Sequence, residues 1–240
     1  MAKLTFEALI LFEDEDYIVI NKPPFVATLD ERTADRVQSI LSLARTYHET
    51  VQMAHRLDKE TSGCLAIAKH NEAYKHLTLQ FQNREVAKLY HAVIHDLRNF
   101  QQVEMDLPIL KLSKKGMVTI DMQEGKPSLT IFNTLKLFRE HTLVACQPVT
   151  GRMHQIRIHL ACMDAPIVGD EMYGGAPFYL SDLKRNYHLK KGTEEQPLMK
   201  RFALHAHQLA FTTLAGEEVN IEAPYPKDFA ALLKQLARFT

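Results

Sequence analysis

The sequence predicts an α+β protein with a mixed, largely antiparallel sheet flanked by helices. Three observations carry that expectation. β-Branched runs come in groups, with helical stripes between only some of them, which is not the regular alternation of a parallel α/β fold. Hydrophobic residues form 46% and charged residues 24% of the 240-residue chain, enough for a substantial core and too apolar for general disorder. No repeat, low-complexity tract or Gly/Ser-rich linker divides it, so residues 1–240 are expected to form one continuous domain.

The elements follow from local pattern. Residues 17–20 (Tyr-Ile-Val-Ile) read as a strand stopped by Asn21-Lys22-Pro23-Pro24, because proline removes a donor and restricts the residue before it. Over residues 33–47, Val37, Ile40, Leu41, Ala44 and Tyr47 recur at helical spacing. Residues 64–68 form a short buried strand, after which Asn71 is placed to cap a helix turning Tyr74, Leu77 and Phe81 inward. A strand is expected over 86–94, then three β-rich stretches near 117–122, 129–138 and 142–147. Thr150-Gly151 opens a helix over 153–163, and strands follow at 202–211 and 218–222. The last helix begins near Asp228, its expected cap, and aligns Phe229, Leu232, Leu233 and Leu236.

Composition limits the function. Twenty-nine basic and twenty-nine acidic side chains cancel, which argues against a strong non-specific polyanion binder. The first fifty residues hold nine acidic and five basic side chains, so the remainder is mildly basic. No run approaches the roughly 18 apolar residues of a membrane span. The start does not read as a signal peptide, since Glu7 interrupts it and the acidic run Glu13 to Asp16, itself read as a solvated turn, follows. Cys64, Cys146 and Cys162 are an odd set without a CxxC pair, read as small buried residues of a cytoplasmic protein. No dinucleotide, P-loop or zinc-ligand pattern is present, so neither cofactor nor metal is expected. His154 and His159 are five apart and cannot share a helix face as i, i+4 ligands would.

One segment invites chemistry: His55-Arg56-Leu57-Asp58-Lys59-Glu60-Thr61-Ser62-Gly63. An ionised aspartate can act as nucleophile or general base once partners position it. Asp58 could equally pair with Arg56 or cap the following turn. Ser62 beside His55 raises a hydrolase reading, but no Gly-x-Ser-x-Gly elbow exists and Thr61-Ser62-Gly63 reads as a turn. Taken alone, Tyr90 is an ordinary strand aromatic and Arg157 a solvated helix residue.

The wording of that segment resembles the catalytic signature of the RluA-type RNA pseudouridine synthases. The resemblance extends through Ile18-Val19-Ile20-Asn21-Lys22-Pro23 and Lys88-Leu89-Tyr90. Pro148-Val149-Thr150-Gly151-Arg152-Met153-His154-Gln155-Ile156-Arg157-Ile158-His159 is similar to a third motif, with Met153 where threonine is more usual. Pro166-Ile167-Val168-Gly169-Asp170, Tyr173-Gly174 and Leu204-His205-Ala206 match later landmarks in order.

The resemblance implies isomerisation of a uridine within RNA to pseudouridine. Asp58 would be the essential carboxylate, attacking the sugar or acting as the base that forms a glycal. Arg157 would pair with it, and Tyr90 would lie against the uracil and take the C5 proton. Arg56 would brace the RNA around an extruded base, with His55, Arg152 and His154 as further RNA contacts. The opening motif begins near residue 11 and leaves no room for an N-terminal S4-type module. The chain therefore resembles the compact members, which modify transfer RNA, ribosomal RNA or both, and it is expected to act as a monomer with RNA as partner, without an obligate protein partner or membrane. A non-catalytic RNA-binding protein on the same fold is the rival reading; pure binding would not require a carboxylate beside phosphates.

Residues 176–200 stand somewhat apart, being longer than in many relatives. Lys184, Arg185, Lys190, Lys191 and Lys200 are interleaved there with Phe178, Tyr179 and Tyr187. Cations meet phosphates and rings stack on unpaired bases, so the stretch is expected to be an RNA-contacting insertion. The alternative is a surface excursion whose aromatics pack on the core.

Overall fold

The computed structural model describes residues 5–30, 38–112, 116–184, 187–189 and 192–239. In chain order these form β1 (Ile10–Glu13), β2 (Tyr17–Lys22), α1 (Ile40–Tyr47), β3 (Ser62–Ala68), α2 (Asn71–Asn83) and β4 (Ala87–His95). Next come β5 (Val103–Asp106), β6 (Ile109–Lys111), β7 (Val118–Ile120), β8 (Leu129–Leu137), β9 (His141–Pro148) and α3 (Gln155–Cys162). The chain ends through α4 (Leu180–Leu183), β10 (Leu204–Thr212), β11 (Glu218–Glu222) and α5 (Lys227–Arg238). The class is α+β, with a mixed and mostly antiparallel sheet.

The chain folds as two compact units, Met1–Tyr90 with His205–Pro224, and His91–Leu204 with Tyr225–Thr240. In the first, strands run in the order β1–β2–β3–β10, and β11 pairs with β10. β2 and β3 are antiparallel from Tyr17↔Ala68 to Lys22↔Gly63. β10 lies parallel to β3 at His205↔Ser62 and Ala206↔Gly63. Side chains alternate across a strand, so β2 and β3 feed two cores. Ile18, Ile20, Leu65 and Ile67 join Leu43 and Leu57 in one, whereas Tyr17, Val19, Cys64 and Ala66 join Leu77 and Phe211 in the other. Burial on both faces explains why these strands read as continuous apolar runs.

Gly63 makes the parallel docking possible. It has φ +112, and a Cβ there would lie 2.1 Å from the Ala206 carbonyl oxygen. Any other residue would push β10 away and strain the backbone.

In the second unit the order is β4–β9–β8–β5, with β5/β8 and β8/β9 antiparallel; β6 and β7 form a separate hairpin. β9 is buried along most of its length, and α5 buries Phe229, Leu232 and Leu236.

Several expectations need correction. Ser62 and Gly63 begin β3 and do not form a turn. His70, whose ring accepts the Ala73 amide, caps α2 in place of Asn71. α5 follows Pro226, and Asp228 lies in its first turn, bound to Arg201. Cys162 is exposed, unlike Cys64 and Cys146. The helix expected over 33–47 is described from Ile40, capped by a reciprocal Ser39–Ser42 box; Val37 lies outside the described residues. β5 and β6 were not anticipated.

Candidate active site

The segment around Asp58 is held at nearly every residue. The His55 Nε2 accepts the Ala66 backbone N–H at 2.9 Å, and the ring stacks on Phe81 with centroids 4.5 Å apart. Arg56 is exposed. Leu57 is buried, and the Thr28 hydroxyl accepts its N–H at 3.2 Å while donating to its carbonyl at 2.9 Å. The Asp58 carbonyl accepts the Thr61 N–H at 3.0 Å. Next, the Lys59 carbonyl accepts from the ammonium of fully buried Lys22, which also donates to the carbonyls of Pro23 and Val26. The backbone of the loop is therefore anchored around an exposed arginine and a partly buried aspartate.

Tyr90, on β4, packs against the core that contains Leu57. Burial, and then the charge of Asp58, push its hydroxyl well above the ordinary tyrosine range. The phenol is neutral at physiological pH, so it can accept a proton only while passing its own onward. Lys88 reaches over the Phe81 ring, 6.0 Å from its centroid, and burial pulls its pKa down to about 8. Burial first, and the Lys88 charge second, pull His55 down to about 3. His55 is thus a neutral acceptor.

The second unit holds another charged cluster. Arg157, on α3, is buried and forms a bidentate pair with buried Asp170, Nε to Oδ2 at 2.6 Å and Nη2 to Oδ1 at 2.7 Å. Its guanidinium also lies over the Phe202 ring at 4.2 Å and the Tyr173 ring at 5.0 Å. The Tyr173 hydroxyl accepts the Val118 N–H at 3.1 Å and shares a hydrogen bond of 2.8 Å with His154 Nδ1. His154 is the N-cap residue of α3, at φ 53, and its carbonyl accepts the Ile158 N–H at 3.0 Å. A solvated-helix reading of Arg157 does not survive this geometry.

The remaining candidates divide. Arg152 is exposed, its Nε donating to the Pro127 carbonyl at 3.3 Å. His159 is fully buried, donating from Nε2 to the Leu107 carbonyl and accepting from Thr130 at Nδ1. Within 176–200, Phe178 is buried edge-on against His141 and is unavailable to a base. Lys184 sits 5.9 Å from the ring centroids of both Tyr187 and Phe239, while Arg185, Lys190 and Lys191 lie outside the described residues.

A serine–histidine contact does exist, with a different histidine. Ser62 donates to His205 Nδ1 at 2.9 Å, and His205 Nε2 donates to the Ala223 carbonyl at 3.1 Å. Both residues are fully buried, so the pair fastens β3 to β10 and offers no nucleophile to a substrate. Sequence reasoning missed this contact, Thr28, Lys22 as an anchor of the loop, and Asp170 as the partner of Arg157. Lys22 and Asp170 lay inside quoted motifs; nothing local marked Thr28.

The fold is that of a pseudouridine synthase domain: the structure of human RNA Pseudouridylate Synthase Domain Containing 4 matches with a TM-score of 0.72 and 26% identity, covering 97% of this chain and 95% of its own. The sequence profile of the RNA pseudouridylate synthases matches residues 16–162. The Dual-specificity RNA pseudouridine synthase RluA of Vibrio parahaemolyticus is 32% identical over 209 residues, 84% of this chain and 76% of that protein. The Ribosomal large subunit pseudouridine synthase D of the same organism is 33% identical over 245 residues, 96% and 71% respectively. The chain belongs to the RNA pseudouridine synthase family, as a member of RluA type, and is an enzyme that isomerises uridine to pseudouridine in RNA.

Proposed function

We propose that this enzyme modifies a uridine of structured transfer or ribosomal RNA through Asp58, without a cofactor, after extruding the base from its stack. The observation that carries the reading is Asp58 in a loop whose backbone is anchored by Thr28 and Lys22, with Tyr90 packed against the core that holds the neighbouring Leu57. The N1–C1′ bond breaks, the detached uracil turns, C5 bonds to C1′, and the C5 proton leaves as N1 gains one. Asp58 either bonds transiently to C1′ or removes a sugar proton to form a glycal. Tyr90 lies against the uracil as a neutral phenol and relays the C5 proton. Arg157 is the third catalytic residue. Arg56, exposed beside Asp58, occupies the space the base vacates, a task suited to a planar guanidinium.

His154 and Arg152 serve as RNA contacts, and the basic side chains of 176–200 extend them. The names of the two Vibrio relatives support an RNA substrate of this kind. We place the enzyme in the cytoplasm, acting as a monomer.

Tritium release from 5-tritiated uridine in RNA tests the chemistry, and a pseudouridine map of cellular RNA with and without the protein names the target. Asp58→Asn keeps the shape and removes the charge, so single-turnover isomerisation should fall at least about a thousandfold with RNA binding retained. A rate within tenfold of the parent would remove Asp58 from the chemistry.

A further inference from the structure

β3 has a gap along one edge. β10 pairs with it at Ser62 and Gly63 only. Farther along, Ala68 exchanges both backbone hydrogen bonds with Gln52, at 2.8 and 3.0 Å. Between these two pairings the Ala66 N–H points to the same edge, where no backbone carbonyl receives it; it donates to His55 Nε2. A buried amide without an acceptor is costly, so this position requires one. The imidazole fills the place of a missing strand, and it belongs to the residue three before Asp58.

We infer that His55 is a positioning residue for the isomerisation: its neutral ring, fixed between the Ala66 amide and Phe81, sets the register of the loop that carries Arg56 and Asp58. This rests on the reading of Asp58 as the catalytic carboxylate, and it reassigns His55 from RNA contact to anchor. Three features support it beyond the hydrogen bond. The ring face is occupied by Phe81, which leaves that face closed to an RNA base. With Nε2 accepting, neutral His55 must carry its proton on Nδ1, so one tautomer is selected. Downstream, Leu57 is clamped by Thr28 and Lys59 by Lys22, so His55 is the upstream anchor of the same loop. Reaction geometry is sensitive at this level, since displacement by about 1 Å can lower a rate about a hundredfold.

The test separates anchoring from RNA contact and from mere packing. His55→Leu covers Phe81 but cannot accept, whereas His55→Gln offers an amide oxygen to Ala66. The expected result for His55→Leu is a fall of at least about tenfold in the single-turnover rate at saturating RNA, RNA affinity within about twofold of the parent, and faster hydrogen exchange at the Ala66 amide. His55→Gln should recover most of the rate and the protection. Full rate in His55→Leu, lost RNA affinity with an unchanged rate, or no recovery in a folded His55→Gln would each overturn the inference. Nitrogen-15 NMR of the unmodified protein provides a check independent of variant folding: Nδ1 protonated and Nε2 bare at pH 7 supports the anchor, and the opposite tautomer or an imidazolium refutes it. Asp58→Asn runs beside these. Its full activity would sink the Asp58 reading, whereas an inactive Asp58→Asn with a fully active His55→Leu would sink the anchor alone.

Discussion

The Asp58 loop and the Arg157 cluster are both polar features set among apolar side chains, and their anchors differ in charge. The loop is tied by hydrogen bonds to His55, to Thr28 and from the Lys22 ammonium. Arg157 is held by a charged pair with Asp170 and by two aromatic rings. The difference has a chemical consequence. A neutral acceptor such as His55 carries no charge of its own, and another neutral acceptor can replace it. A buried ion pair depends on both members, because removing one strands the other without water.

That contrast predicts a graded set of losses. Arg157→Met should have the largest effect on stability, lowering the unfolding free energy by about 3–5 kcal/mol because Asp170 stays buried without its partner. The double variant Arg157→Met/Asp170→Asn should recover part of that loss in denaturant titrations, while activity stays low in both. Equal stability of the single variant and the parent would break the comparison. Tyr90→Phe should leave stability nearly unchanged and lower the single-turnover rate about a hundredfold, the scale of a lost proton-transfer group, with RNA affinity kept. Because burial and Asp58 raise the Tyr90 pKa, ionisation of the phenol should produce no alkaline break in the parent's rate below pH ~10. A break near pH 8 that disappears in Tyr90→Phe would contradict the burial argument.

The smallest effect belongs to 176–200. Changing Lys184, Arg185, Lys190 and Lys191 to Ser should weaken RNA binding and flatten its salt dependence by slightly less than about one unit per lost phosphate contact. The chemical step at saturating RNA should stay the same. Lys184→Ser alone should change the slope little, since that ammonium already rests over Tyr187 and Phe239. An unchanged slope in the folded quadruple variant would leave the stretch as surface.

What was legible in the sequence follows from how local each signal is. The continuous apolar runs of β2 and β3, the period of α2 and α5, and the HRLDKETSG motif are all written within a few neighbouring residues. β5 (Val-Glu-Met-Asp) and β6 (Ile-Leu-Lys) are short and half polar, so neither alternation nor an apolar run marked them. His70 was passed over as a cap because imidazole is an uncommon substitute for the usual hydroxyl or carboxylate acceptors. Cys162 lies on the open side of α3, a matter of tertiary packing. The candidate site was legible as a set of residue types but not as a set of partners. His55, expected as an RNA contact, accepts a backbone amide eleven positions away, and Arg157, expected beside Asp58, forms a bidentate pair with Asp170 thirteen positions away.

The return of β10 to β3 gives the chain a timetable. The first unit contains Asp58 and Tyr90, yet it also needs His205–Pro224, whose strand supplies the partner of Ser62 and the backbone against which Gly63 closes. More than a hundred residues lie between those two pieces. At roughly 5–20 residues per second, a ribosome completes the first unit's N-terminal piece many seconds before the C-terminal piece emerges. Throughout that interval the edge of β3 at Ser62 and Gly63 lacks its neighbour and is open to other strands. Nascent chains halted before residue 205 should therefore aggregate, or occupy chaperones, more readily than chains released past residue 224.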